Sequence, residues 1–256
     1  MSIEIRDLHK AFGEKKVLQG FSLEVREGET LAVLGGSGSG KSVTLKHIVG
    51  LLEPDRGTVL VDGQAVEELE AKELYALRRN VGYVFQLAAL FDSLTVGENV
   101  GLGLRRLGTM DDQEIDERVS ECLELVDLPG VTERYPAELS GGQKKRVGLA
   151  RAIATRPKYV LYDEPTTGLD PLTKAVIDKL ILRMKEDLGM TGLVITHDME
   201  SAFRVSDRVA MLHEGRRRFL GTPDEIRATD DPVVRAFIEG RPELLDGGDP
   251  SRKEAV

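Results

Sequence analysis

Residues 30–52 read TLAVLGGSGSGKSVTLKHIVGLL. The short apolar run TLAVL predicts a buried strand, VTLKHIVGLL has the spacing of a helix, and the small residues between them mark a turn. Gly35, Gly40, Lys41 and Ser42 fit the pattern G-x-x-x-x-G-K-[ST] in the strand, loop, helix context that this pattern requires. A loop of Gly35, Gly36, Ser37, Gly38, Ser39 and Gly40 can wrap with its backbone N–H groups pointing inward. A helix starting at Lys41, Ser42 and Val43 adds the positive end of its dipole. Such a cradle suits the phosphates of a nucleotide: Lys41 reaches their outer oxygens and Ser42 offers an oxygen to Mg²⁺. A flexible Gly/Ser linker has the same composition, but it would not be wedged between an apolar strand and an apolar helix.

Other strand-like runs lie at Gly82 to Phe85, Tyr159 to Tyr162 and Gly192 to Thr196, each near a helix-like stretch, which predicts an α/β fold with largely parallel central strands. Before them IEIRDL, FSLEV and TVLVDG are short, partly alternating and turn-bounded, as expected of a small antiparallel subdomain. Residues 86–157 lack strand signals. Within them Ile115, Val119, Cys122, Leu123 and Val126 recur at helical spacing, so this stretch reads as a helical insertion. After Gly240 the chain turns polar, and residues 241–256 read as a mobile tail.

The chain has 256 residues, 35 Lys and Arg against 44 Asp and Glu, and a net charge of -9, so no overall positive field draws it to nucleic acid or anionic lipid. The single cysteine, Cys122, excludes an intrachain disulfide and fits a reducing compartment. The N-terminal MSIEIRDLHK has acids where a signal peptide needs an apolar core, and no run of eighteen apolar residues exists to span a membrane.

A second apolar run, YVLYDEP, ends in adjacent carboxylates. Successive strand residues point opposite ways, so Asp163 can hold Mg²⁺ through water while Glu164 polarises an attacking water beside the γ-phosphate. An isolated Asp-Glu pair would more simply open a solvated loop; the preceding apolar residues and the phosphate loop favour the catalytic reading.

These two elements leave kinase, GTPase, helicase and transporter open. LSGGQKKR, Leu139 to Arg146, decides between them. Ser140, Gly141, Gly142 and Gln143 at a helix start form a second phosphate-binding device, which a single chain does not need for one nucleotide. Through LSGGQ the chain resembles the nucleotide-binding subunit of an ABC transporter, in which this signature caps the ATP of the partner in a head-to-tail homodimer. The resemblance runs to about Gly240. It implies a P-loop NTPase with a RecA-like core (about 1–85 and 158–222), an N-terminal antiparallel β subdomain, a helical signature subdomain (about 86–157) and C-terminal helices (about 223–240). It places Phe12 on the adenine ring, Gln86 near Mg²⁺ and the attacking water, Asp170 in the loop that crosses the dimer interface, and His197 on the γ-phosphate, holding Glu164 and water. Base stacking is worth about 1 to 3 kcal/mol in nucleic-acid systems, so Phe12 tunes affinity without deciding it. His9, His47 and His213 read as structural or surface residues.

KSVTLKHIVGLLEPDRG, ALFDSLTVGENV and DDPVVRAFIEG are similar to the ATPases of Mla/Mce-type lipid transport systems. That likeness implies an integral membrane permease, an MCE-type substrate-binding protein, in some members a STAS-domain subunit, and a peripheral place on the cytoplasmic face of the inner membrane. An importer ATPase for a polar solute such as an amino acid is the alternative reading, and a soluble non-transport ABC protein a remoter one. Leu87, Leu90, Phe91 and Leu94 are expected to form a groove for a short permease helix, against the simpler view that they only fill the core.

Overall fold

Strand β3 (Thr30–Leu34) is buried at every position, as a strand flanked by parallel neighbours and covered on both faces must be. In the computed structural model, which describes residues 2–241 and Glu243, β3 lies within a six-stranded sheet ordered β10-β9-β3-β8-β7-β6. The other members are β6 (Val81–Val84), β7 (Tyr159–Asp163), β8 (Thr191–Thr196), β9 (Arg208–His213) and β10 (Arg216–Gly221). All pair in parallel except β10, which closes the edge by a hairpin with β9. The expected strand at Gly82 to Phe85 is one residue out of register: Phe85 lies beyond β6, 42% exposed, and stacks on Tyr83 with ring centroids 4.3 Å apart. The apolar character of Phe85 misled here, because an exposed aromatic can be covered by a neighbouring ring instead of a core.

A separate antiparallel sheet, ordered β2-β1-β4-β5, contains β1 (Ser2–Phe12), β2 (Lys15–Arg26), β4 (Arg56–Val61) and β5 (Gln64–Ala65). One apolar cluster joins its inner face, through Ile5, Phe21 and Val59, to Leu31, Leu161 and Ile195 of the large sheet and to Leu45 and Ile48 of helix α1 (Lys41–Ile48). Helix α2 (Ala71–Arg79) follows β5.

Between β6 and β7 run α3 (Val96–Leu107), α4 (Asp112–Leu125) and α5 (Gly141–Ile153). Ile115, Val119, Cys122 and Leu123 of α4 are buried as their spacing predicts, and Val126 caps the helix. This cluster continues through Val160 and Tyr162 to Ile177 and Ile181 of α6 (Pro171–Glu186), so the helical layer shares a core with the sheet. A third cluster packs β3 and β9 against α7 (Met199–Val205), α8 (Pro223–Arg227) and α9 (Pro232–Glu239). Beyond α9, the expected mobile tail lies outside the described residues except for Arg241 and Glu243.

Fully buried Asn99 of α3 fixes the loop ahead of that helix. Its Oδ1 accepts from the Phe91 N–H at 2.8 Å, and its Nδ2 donates to the carbonyls of Phe91, Leu94 and Thr95 at 3.0, 3.2 and 2.9 Å. An Asn99→Ala protein therefore leaves loop backbone groups without partners, and urea unfolding should show a loss of about 1–3 kcal/mol at unchanged slope.

Candidate nucleotide site

The C-terminal ends of β3, β7 and β8 lie side by side because the parallel register pairs Leu34 with Thr196 and Asp163 with Ile195. Ligands of open α/β sheets bind at this edge. Here a cleft of about 520 Å³ is lined by Phe12, Ser37, Gly38, Gly40, Lys41, Ser42, Val43, Gln86, Glu164 and His197, all named from sequence, and by Lys15 and Val17 of β2, which were not. The hairpin from β1 to β2 carries those two into the cleft. Their signal was the short turn after Phe12.

The lysine of the loop is 7% exposed; its Nζ donates to the carbonyls of Gly35 at 2.7 Å and Gly36 at 3.0 Å and stands 3.6 Å from Glu164 Oε1. Burial pulls its pKa down, opposed by the nearby Glu164 charge. Ser42 Oγ donates to Asp163 Oδ1 at 3.0 Å, and the Tyr83 hydroxyl donates to Oδ2 at 3.2 Å. Burial and the Asp163 charge both push the Tyr83 phenol up, which keeps it a donor. Ser39 Oγ is buried without a protein partner, and Gly35, Gly36 and Ser39 do not line the cleft.

Glu164 leaves the strand with φ 50, a left-handed conformation that costs a non-glycine residue of order 1–3 kcal/mol and gathers at functional sites. The turn separates the two carboxylates. Asp163 meets Ser42, while Glu164 Oε2 accepts from Thr167 Oγ1 at 3.0 Å, Thr196 Oγ1 at 3.2 Å, the His197 N–H at 3.3 Å and His197 Nδ1 at 2.8 Å. Burial would raise the Glu164 pKa, but the His197 hydrogen bond and charge, with Lys41 and Thr167, more than offset it and hold the carboxyl below its usual 4.5. An ionised carboxylate can only accept, so the imidazole donates from Nδ1 and leaves Nε2 to a ligand. Lys145 of α5, unnoticed in the sequence, holds the Glu164 turn from behind by donating to the carbonyls of Glu164 at 3.3 Å and Thr167 at 2.8 Å.

The signature residues do not line this cleft. Ser140 caps α5: its Oγ accepts from the Gln143 N–H at 3.3 Å, and Gln143 Oε1 accepts from the Ser140 N–H at 2.9 Å. Ser140 and Gly141 are exposed. Gly142 approaches α6 so closely that a Cβ there would stand 2.5 Å from Thr173 Cγ2. Asp170 is engaged as the cap of α6, accepting from the N–H groups of Leu172 and Thr173, each at 3.0 Å, and the outward group beside it is Leu172, 82% exposed. His47 is buried in α1 with Nδ1 on the Val43 carbonyl at 2.8 Å, a structural place.

A phosphate-loop cradle, its lysine and a strand-end carboxylate pair define a nucleoside-triphosphate hydrolase of the P-loop class. The profile of the ABC transporter family matches residues 18–167. The chain is 40% identical over 241 residues to a probable ribonucleotide transport ATP-binding protein, mkl, of Mycobacterium leprae, covering 94% of this chain and 70% of that one. It is 42% identical over 262 residues to protein TRIGALACTOSYLDIACYLGLYCEROL 3, chloroplastic, of Arabidopsis thaliana, covering 96% and 74%. It is 42% identical over 241 residues to the methionine import ATP-binding protein MetN of Xylella fastidiosa, covering 92% and 72%. Among solved structures, the dimeric post-hydrolysis state of the ATP-binding cassette MJ0796 bound to ADP and Pi superposes with a TM-score of 0.79 at 35% identity, covering 86% of this chain and 98% of that one. The chain belongs to the ABC transporter family, as an ATP-binding subunit whose ATP hydrolysis is coupled to transport.

The lowered Glu164 pKa has a definite sign for stability. Folding favours the ionised form, so the contribution is fully present above the usual value of 4.5 and is lost as pH falls through the lowered one. In urea titrations the stability gap between the parental protein and Glu164→Gln should be widest above pH 4.5 and close on acidification.

Proposed function

We propose that ATP binds with adenine against Phe12 and its phosphates in the loop of residues 35–42, and that Glu164 is the general base for water attack. The carrying observation is the four-donor hold on Glu164 Oε2, which fixes the carboxylate 3.6 Å from Lys41. An ammonium drawn from Glu164 toward the γ-phosphate would relieve one influence that lowers the carboxyl pKa and so strengthen the base when substrate is present. His197, bonded through Nδ1, orients that carboxylate and offers Nε2 to the γ-phosphate, and Gln86, which lines the same cleft, positions water.

The donor set also fits Mg²⁺. Ser42 Oγ and Asp163 are hard oxygen donors 3.0 Å apart, and among the described residues no cluster of three or more His, Cys, Asp or Glu could hold a metal alone. Ser42, with Asp163 through water and Gln86, would therefore hold the ion together with phosphate oxygens, where it neutralises charge on the phosphates.

The working unit we infer is a head-to-tail homodimer. The cleft lacks the start of α5, whose exposed N–H groups and Ser140 suit a phosphate brought by a second copy, and the similar cassette MJ0796 is dimeric. Exposed Leu172 beside Asp170 suits the same interface. Glu164→Gln should lower kcat at least about 10³-fold while retaining ATP binding and accumulating a dimer in size-exclusion chromatography with ATP. Turnover at the parental rate would overturn the base assignment. Lys41→Ala should instead weaken ATP binding. Mixing Ser140 and Lys41 variants should restore part of the activity, since one site of each mixed dimer is then intact.

For cargo we propose lipid, of the Mla/Mce type. The chloroplast relative carries a glycolipid in its name and matches nearly the whole chain. Polar-solute import is the second reading, favoured by relatives named for ribonucleotide and methionine. The permease would take its place on the exposed side chains of Leu87 and Phe91, 87% and 53% accessible, with Leu90 and Leu94 half-buried behind them. Through it the ATPase would sit on the cytoplasmic face of the inner membrane. No helix of the described residues is long and apolar enough to cross the bilayer itself. Purification of the membrane complex tests this: an MCE-type protein with the permease, with or without a STAS-domain subunit, supports lipid transport, and a solute receptor overturns it. A polar Phe91 variant should lose the permease yet keep ATP binding.

A further inference from the structure

Two consecutive alanines after Gln86, Ala88 and Ala89, have φ of 61 and 48. This left-handed conformation costs alanine free energy and glycine almost none. Something must hold them there, and the structure shows what does. In the last turn of α5, Arg151 spreads its guanidinium across both peptides: Nη2 donates to the Ala88 carbonyl and Nη1 to the Ala89 carbonyl, each at 2.6 Å. One turn earlier Gly148 provides the seat. A Cβ at Gly148 would lie 3.3 Å from Ala88 Cβ, tighter than ordinary contact, so the missing side chain admits Ala88, itself 1% exposed. Asn99 pins the far end of the same loop at Phe91. Gln86 precedes Ala88 by two residues and lines the cleft. The backbone that brings Gln86 to the cleft therefore runs straight on into a strained pair of peptides gripped by α5.

We infer that Arg151 is a positioning residue for hydrolysis: its fork holds Ala88 and Ala89 in their left-handed turn and thereby sets Gln86, so that a displacement of α5 is passed to the cleft. The inference rests on the proposed role of Gln86. Helix α5 is capped by Ser140, where a partner's nucleotide would bind, and carries this fork in its last turn, so one rigid element connects the two sites of a dimer. A lysine cannot replace the fork, because an ammonium has no planar pair of donors to match two carbonyls.

The test is steady-state ATPase kinetics on the full chain with Arg151→Lys, Arg151→Met, Gln86→Ala and the double variant Gln86→Ala/Arg151→Met. Each single variant should lower kcat about tenfold while the KM for ATP moves less than about twofold, since a misplaced group costs rate and not ground-state binding. The double variant should be no slower than Gln86→Ala alone, because both changes remove one function. Ala89→Gly in the Arg151→Met background should recover at least about half of the lost kcat, because glycine accepts the left-handed turn without the fork. A purely structural arginine would show neither the shared loss nor the glycine rescue. Parental kcat in Arg151→Lys and Arg151→Met beside an impaired Gln86→Ala would overturn the inference alone, as would a double variant whose loss is the product of the single losses. Parental kcat in Gln86→Ala would overturn the role of Gln86 and the inference with it. If Arg151→Met does not fold, the lysine variant carries the same comparison.

Discussion

The parallel register of β3, β7 and β8 is the constraint on which the site depends. It brings three strand ends to one edge, where the first delivers the phosphate loop, the second Asp163 and Glu164, and the third Thr196 and His197. A backbone bond seals the alignment: the Glu164 N–H donates to the Ile195 carbonyl at 2.9 Å, just where the strand turns away. Because a one-residue slip inverts the face on which every side chain lands, a slip of any one strand would misplace together the residues carried at its end. The burial of all five residues of β3 is the energetic guarantee of that register.

Much of this was legible in the sequence because its signals are local. Glycine spacing, an apolar run ending in two acids, and a serine with two glycines before a helical run each encode geometry within a few residues: Lys41 begins a helix, Asp163 ends a strand with Glu164 just beyond it, and Ser140 precedes a helix. Long-range support was not legible. Tyr83 reaches Asp163, Lys145 braces the Glu164 turn and Asn99 ties down Phe91, yet each is an ordinary residue in its own stretch and gains meaning only from a neighbour many residues away. Positive φ at Ala88 and Ala89 was hidden for a related reason, since alanine gives no hint of a left-handed turn that only tertiary contacts can enforce. Phe85 shows the reverse error, an apolar residue that hydropathy assigns to a strand and the structure leaves beside one.

Helix α5 concentrates these long-range contacts. Ser140 at its start faces solvent, Lys145 in its second turn holds the carbonyls around Glu164, and Arg151 in its last turn grips the loop after Gln86. Lys145 is buried and Arg151 half-buried, and burial pulls the pKa of each down, so they act through directed hydrogen bonds to carbonyls more than as free charges. The apolar face of the helix, Val147, Leu149, Ala150 and Ile153, is anchored in the large helical cluster, which makes the helix stiff enough to relate one end to the other.

The left-handed turn at Glu164 carries an evolutionary implication. Its backbone favours glycine or asparagine, while the base proposed here must be a carboxylate, so local conformation and the proposed chemistry call for different residues at one position. Selection for thermal robustness alone would pull this position away from glutamate, and only continued use of the enzyme opposes the drift. Lineages that keep the fold but no longer need turnover would therefore be expected to lose this acid before they lose the glycine loop, whose residues also serve to hold nucleotide.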